Sequence, residues 1–124
     1  MKAIHTNNAP AAIGPYSQAI EVNGFVFASG QTPIDPKTGN FVEGGIKEQT
    51  AQALTNAGNI LKEAGTDLAH VVKTTVYLAD MADFAAMNEV YATFFSQPFP
   101  ARSAVAVKEL PKGARVEVEV LAAK

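Results

Sequence analysis

Val71-Val72-Lys73-Thr74-Thr75-Val76-Tyr77-Leu78 is rich in β-branched residues and too short for a typical helix, so it reads as a central strand. Both segments that flank it carry helical periodicity. Upstream, Ile46, Ala53, Leu54, Ala57, Ile60, Leu61 and Ala64 recur at three- and four-residue intervals, with Lys47, Glu48, Gln52 and Lys62 between them. Gly65 supplies the C-terminal stop of that helix. Downstream, Asp80 can cap a second helix and Asp83 sits near the positive end of its dipole. Phe84, Met87, Tyr91 and Phe94 form its apolar stripe, read as core, and the helix ends before Pro98.

Further out, Glu21-Val22-Asn23-Gly24-Phe25-Val26 sets Asn-Gly between two β-prone runs, the signature of a type I′ hairpin. It pairs a strand at about Ser17 to Val22 with one at about Phe25 to Ser29, which Gly30 ends. Gly14-Pro15 and Pro33, Pro36 and Gly39 mark irregular connections at the strand ends. Near the C-terminus, Phe99-Pro100-Ala101-Arg102-Ser103 opens an alternating strand, and Arg115 to Val120 forms another after a Leu110-Pro111-Lys112-Gly113 turn. With a short strand at about Lys2 to Thr6, the pattern is α+β: a two-layer sandwich, a mixed six-stranded sheet with two helices on one face. Phe25, Val26, Phe27, Val71, Val72, Val105 and Val107 put apolar groups on both sides of the strands, whereas two helices cover one side. The uncovered patch calls for burial against sister subunits in a closed ring.

A chain of 124 residues fits a single domain over residues 1–124. No apolar run is long enough to span a bilayer, and the N-terminus has no secretory leader pattern, which makes the cytoplasm the expected setting. The absence of cysteine excludes disulfides, thiolate nucleophiles and thiolate metal sites. His5 and His70 lack neighbours at ligand spacing, so no metal is expected. The formal charge of −2, with ten dispersed Lys and Arg, argues against a nucleic-acid partner.

Arg102 and Glu117 carry the chemical signal. Pro100 sets where its strand begins, so the Arg102 guanidinium projects from a rigid element and presents a fork of donors to a carboxylate or phosphate. Glu117 can orient or deprotonate a water. Against this stands the reading of both as solvated strand charges, with Glu119 the alternative functional acid.

The whole chain resembles the RidA/YjgF family, the reactive-intermediate deaminases. The resemblance is carried by Asn8-Ala9-Pro10-Ala11-Ala12-Ile13-Gly14-Pro15-Tyr16-Ser17-Gln18, Ser29-Gly30-Gln31, Val72 through Leu78, Phe84 through Asn88, and Pro100-Ala101-Arg102-Ser103 continuing to Val116-Glu117-Val118. It implies a chorismate-mutase-like fold and a homotrimer with sites in the clefts between subunits. It also implies hydrolysis of enamines and imines such as 2-aminoacrylate (2-iminopropanoate) and 2-iminobutanoate to a 2-keto acid and ammonia, without a cofactor. By the same resemblance Arg102 is the carboxylate anchor, Glu117 the water-positioning acid, and Tyr16, Ser29, Gly30 and Asn88 line the cleft.

From the residues alone, Tyr16 is equally a packing anchor, Ser29 a partner for a neighbouring backbone group, Gly30 a strand-ending turn, and Asn88 a tie between its helix and a loop. Many relatives carry Cys two positions after the arginine, where Ala104 stands here, which removes thiol-based control. Two rival functions remain at this level. One is a non-catalytic module that senses a small keto or amino acid, which needs Arg102 but not Glu117. The other, an RNA-cleaving or translation-inhibiting activity attributed to some relatives, lacks a nuclease constellation in this chain.

Overall fold

The strand at Val71–Leu78 forms where its composition places it, and it lies second from one edge of the sheet. The computed structural model describes residues 1–124. In chain order the elements are β1 (Lys2–Ile4), β2 (Ala19–Val22), β3 (Phe25–Ala28), α1 (Ile46–Glu63), β4 (Val71–Leu78), α2 (Phe84–Phe94), β5 (Ala101–Ala106) and β6 (Val116–Ala123). One six-stranded sheet joins them in the order β1-β2-β3-β6-β4-β5. Only β4 and β5 run parallel, and α2 is the crossover between them; the other pairs are antiparallel.

The local signals have physical counterparts. Asn23 and Gly24 turn with φ of 51° and 79°, the left-handed pair that a type I′ hairpin requires, and β2 and β3 pair from Val22↔Phe25 to Ala19↔Ala28. Gly65 takes φ 88° immediately after the α1 cap at Ala64, where a side chain would be strained. At the start of α1, the Glu48 carboxylate accepts from the Gly45 backbone N–H at 2.8 Å. Asp80 caps a single 3-10 turn, Met81–Asp83, by accepting from Ala82 N–H at 2.9 Å, and α2 begins only after it. β2 begins two residues after Ser17 and β3 ends one residue before Ser29, although the Ser29 N–H still donates to the Gln18 carbonyl at 2.9 Å, whereas β6 runs three residues beyond Val120 to Ala123.

Both helices cover the same face. Leu54, Ile60 and Leu61 of α1 and Met87 of α2 are fully buried against Val26, Val76, Leu78, Val116, Val118 and Val120 of the sheet. The opposite face stays open: Phe25, Phe27 and Val105 are 41%, 46% and 46% exposed. No helix is long and apolar enough to cross a membrane.

Candidate active site

Pairing across β4 decides where the two charged residues point. Arg102 of β5 stands opposite Thr74, and Glu117 of β6 stands opposite Tyr77. Thr74 is buried beneath the helices, while Tyr77, an odd number of positions along, lies on the open face. The guanidinium and the carboxylate therefore belong to opposite faces of the sheet, with a strand between them.

On the open side, Tyr16, Ser29, Gly30 and Glu117 line one hollow of about 470 Å³, with Gln31 beneath and Lys112 at the margin. Two glutamines shape it. The Gln18 side chain accepts from Thr6 N–H at 2.7 Å and donates to the carbonyls of Thr6 and Pro10 at 3.0 and 2.9 Å, which clamps the N-terminal loop against β2. Gln31 exchanges backbone hydrogen bonds with Val118 at 2.8 and 3.0 Å, and its side-chain amide donates to the Ser29 carbonyl at 3.1 Å. The Ser29–Gln31 loop is thereby laid alongside Glu117. Gly30 leaves room there: a Cβ built on it would lie 2.9 Å from the Glu117 carboxyl carbon.

Burial, and secondarily the charge of Glu119, push the Glu117 carboxyl above the usual glutamate range. Glu117 takes part in none of the chain's ion pairs. Glu119 is exposed and lies in a different depression, beside Phe27 and Lys73. The Ser29 hydroxyl donates to the Ser17 carbonyl at 2.7 Å, so toward the hollow it offers only acceptor capacity. Tyr16 is 53% exposed and lines the hollow.

A second hollow lies at the β5 edge under α2. Asn88 and Arg102 line a hollow of about 360 Å³ with Tyr91, Phe99 and Pro100. Asn88 Oδ1 accepts from Arg102 Nη1 at 2.7 Å, so this side chain ties α2 to the arginine rather than to a loop. The guanidinium carbon lies 4.7 Å from the Tyr91 ring centroid and 5.5 Å from that of Phe84. No carboxylate of the chain pairs with it. A half-buried cation steadied by an amide and two rings, with most of its donors uncommitted, has the chemistry to receive an anion.

The aromatic support of Arg102 is invisible in the periodicity. Phe84 and Tyr91 satisfy the apolar stripe of α2, and nothing in that stripe distinguishes a ring facing Val76 from one facing a guanidinium. Their spacing with Asn88, at i, i+4 and i+7, is the available signal, since it places all three on one helical face.

The sequence model of the family described as Endoribonuclease L-PSP matches residues 6–124. The chain belongs to the RidA/YjgF family. A RidA/YjgF relative from Mus musculus, named 2-iminobutanoate/2-iminopropanoate deaminase, is 54% identical over 121 residues, which covers 98% of this chain and 90% of the mouse protein. The crystal structure of RidA from Psychrobacter sp. superposes with a TM-score of 0.96 at 45% identity, over 100% of both chains. E. coli TdcF, solved with bound serine, gives a TM-score of 0.94 at 38% identity, over 100% of this chain and 99% of that one. The RidA/YjgF fold is therefore shared over essentially the whole molecule, including the mixed sheet and both helices.

Proposed function

We propose that this protein hydrolyses 2-imino acids and their enamine tautomers, 2-aminoacrylate and 2-iminobutanoate among them, to 2-keto acids and ammonia. The observation that carries the reading is the uncommitted Arg102 guanidinium, held by Asn88 and two rings with no acid of its own chain against it. A substrate carboxylate completes that arrangement with two parallel charge-assisted bonds, and the imine carbon is then set relative to an attacking water. Glu117 accepts the proton that the water loses as the C–O bond forms. The resulting carbinolamine takes a proton on nitrogen, releases ammonia and collapses to the ketone. A protonated imine is already electrophilic, so positioning and modest proton transfer suffice.

One small substrate cannot touch both groups within one copy, because the sheet stands between them. We infer a composite site in a homotrimer, in which the Arg102 half of one copy faces the Tyr16, Ser29, Gly30 and Glu117 half of the next. The exposed Phe25, Phe27 and Val105 on the open sheet face support the same association. The mouse relative named for this reaction supports the substrate class, and TdcF with serine supports a small amino-acid-like ligand.

The test couples an enzyme that generates 2-aminoacrylate to the release of ammonia and pyruvate. Added protein accelerates release above the spontaneous rate; unchanged kinetics at micromolar protein refute the reading. Gly30→Ala supplies a second check. Its Cβ displaces the Glu117 carboxylate by on the order of 1 Å, for which a loss of about 10²-fold in kcat is expected. The folded structure should persist, and equal kcat in Gly30→Ala would show that the carboxylate position is immaterial.

A further inference from the structure

The geometry points to Tyr91 as the positioning residue for Arg102, acting through the face of its ring, with Thr74 as the group that holds the ring; this inference rests on the reading of Arg102 as carboxylate anchor. Three observations meet here. The Tyr91 ring lies 4.7 Å from the guanidinium carbon. The Tyr91 hydroxyl shares a 2.8 Å hydrogen bond with Thr74 Oγ1 in the buried layer between α2 and β4. Thr74 is also the residue of β4 directly opposite Arg102 in the parallel ladder, so the hydroxyl that sets the ring belongs to the same rung as the arginine.

A buried Tyr–Thr pair is not needed to fill space, since Phe and Val fill nearly the same volume without polar atoms. What the pair adds is direction. The phenol oxygen is pinned at the sheet, and the Phe95 ring packs against the Tyr91 ring, tilted by 36°, at 4.6 Å between centroids. The free motion left to the Tyr91 ring is therefore small. Arg102 is then held on two sides: one edge nitrogen donates to Asn88 at 2.7 Å, and its face rests on an electron-rich ring. The remaining edge of the fork is left for an incoming carboxylate. Without the ring, the side chain keeps its charge but regains rotamer freedom that substrate binding must then remove.

The prediction concerns binding more than chemistry. Replacing Tyr91 with phenylalanine and then with phenylalanines of increasing ring fluorination keeps the volume while draining negative charge from the ring face. Pyruvate, a non-reacting carboxylate, is the probe, titrated calorimetrically into the intact protein. Its Kd should rise stepwise along the series to about tenfold at full fluorination, equivalent to about 1.4 kcal/mol. KM for the imino acid should follow Kd, kcat should change less, and the thermal midpoint should stay nearly constant along the fluorinated members. Thr74→Val should raise the pyruvate Kd about threefold.

A purely structural Tyr91 predicts the reverse, namely movement of the thermal midpoint with a flat Kd, and that result overturns the inference. A flat series in a protein whose pyruvate affinity does fall in Arg102→Ala removes Tyr91 alone. Pyruvate binding that follows the series without any imino-acid turnover removes the hydrolytic reading and leaves Tyr91 in place. Absence of pyruvate binding in the wild type removes both.

Discussion

Arg102→Ala is expected to lower kcat/KM for 2-imino acids by about 10² to 10⁴-fold. Two hydrogen bonds between charged groups are lost, each worth about 1.5–3 kcal/mol, and each 1.4 kcal/mol is a tenfold effect. The loss falls on KM through the missing carboxylate contact and on kcat through the misplaced imine carbon. Stability should change little, because the native chain spends only one hydrogen bond, to Asn88, and two ring contacts on this side chain. Arg102→Lys restores the charge without the planar fork and should recover only a small part of the rate. Coupled ammonia release, with a thermal melt of the same preparations, separates the two effects; equal rates in wild type and Arg102→Ala would remove the anchor.

Glu117→Gln should reduce kcat by about 10² to 10⁴-fold, the usual span for loss of a positioned proton acceptor, while pyruvate binding survives. That split also separates the enzyme from a keto-acid sensor, in which Glu117 has no task. The pH dependence has a definite sign. Burial raises the Glu117 carboxyl above the glutamate range, so the acid limb of the kcat profile should lie above that range, since the protonated form cannot accept from water. For stability, the folded state binds this proton more tightly than the unfolded chain. The favourable contribution is complete below the unfolded value and is lost as pH rises through the raised folded value. At neutral pH the ionised carboxylate is thus a cost to the fold, which Gln removes. Glu117→Gln should accordingly melt at a higher temperature than wild type at pH 7, with the difference vanishing at acid pH. A melt that is lower at pH 7 would contradict the assigned shift.

Much of the architecture could be read from local chemistry, because local chemistry causes it. Asn23-Gly24 leaves few options but a tight hairpin, Gly65 stops α1, and the β-branched run at 71–78 makes β4. Sheet order is a different matter. β6 inserts between β3 and β4, and β4 separates β5 from β6, although β5 and β6 are neighbours in sequence. Alternation within a strand carries no record of which strand lies beside it.

The same limit hid the arrangement of the site. Val116, Val118 and Val120 make it plain that Glu117 faces away from the core. Ala101-Arg102-Ser103-Ala104-Val105-Ala106 is an edge strand of mostly small residues with no clear amphipathic period, so the side that Arg102 takes emerges only from its register with Thr74. Gly30 is a further case. Its small size suits both a turn and a close ligand, but the neighbour that requires it is Glu117, far along the chain on a different element. Resemblance to relatives marked Arg102, Glu117, Tyr16, Ser29, Gly30 and Asn88, and the fold sorts them into two groups on opposite faces of one sheet.

Subunit mixing tests most directly whether copies share a site across that division. Arg102→Ala and Glu117→Gln proteins are each purified, unfolded together in equal amounts, refolded and assayed for ammonia release from 2-aminoacrylate. In a ring assembled at random, about a quarter of the interfaces join an intact Arg102 half to an intact Glu117 half, so activity should return to about a quarter of that of refolded wild type. A mixture that assembles yet stays as inactive as either parent would contradict a site shared between copies.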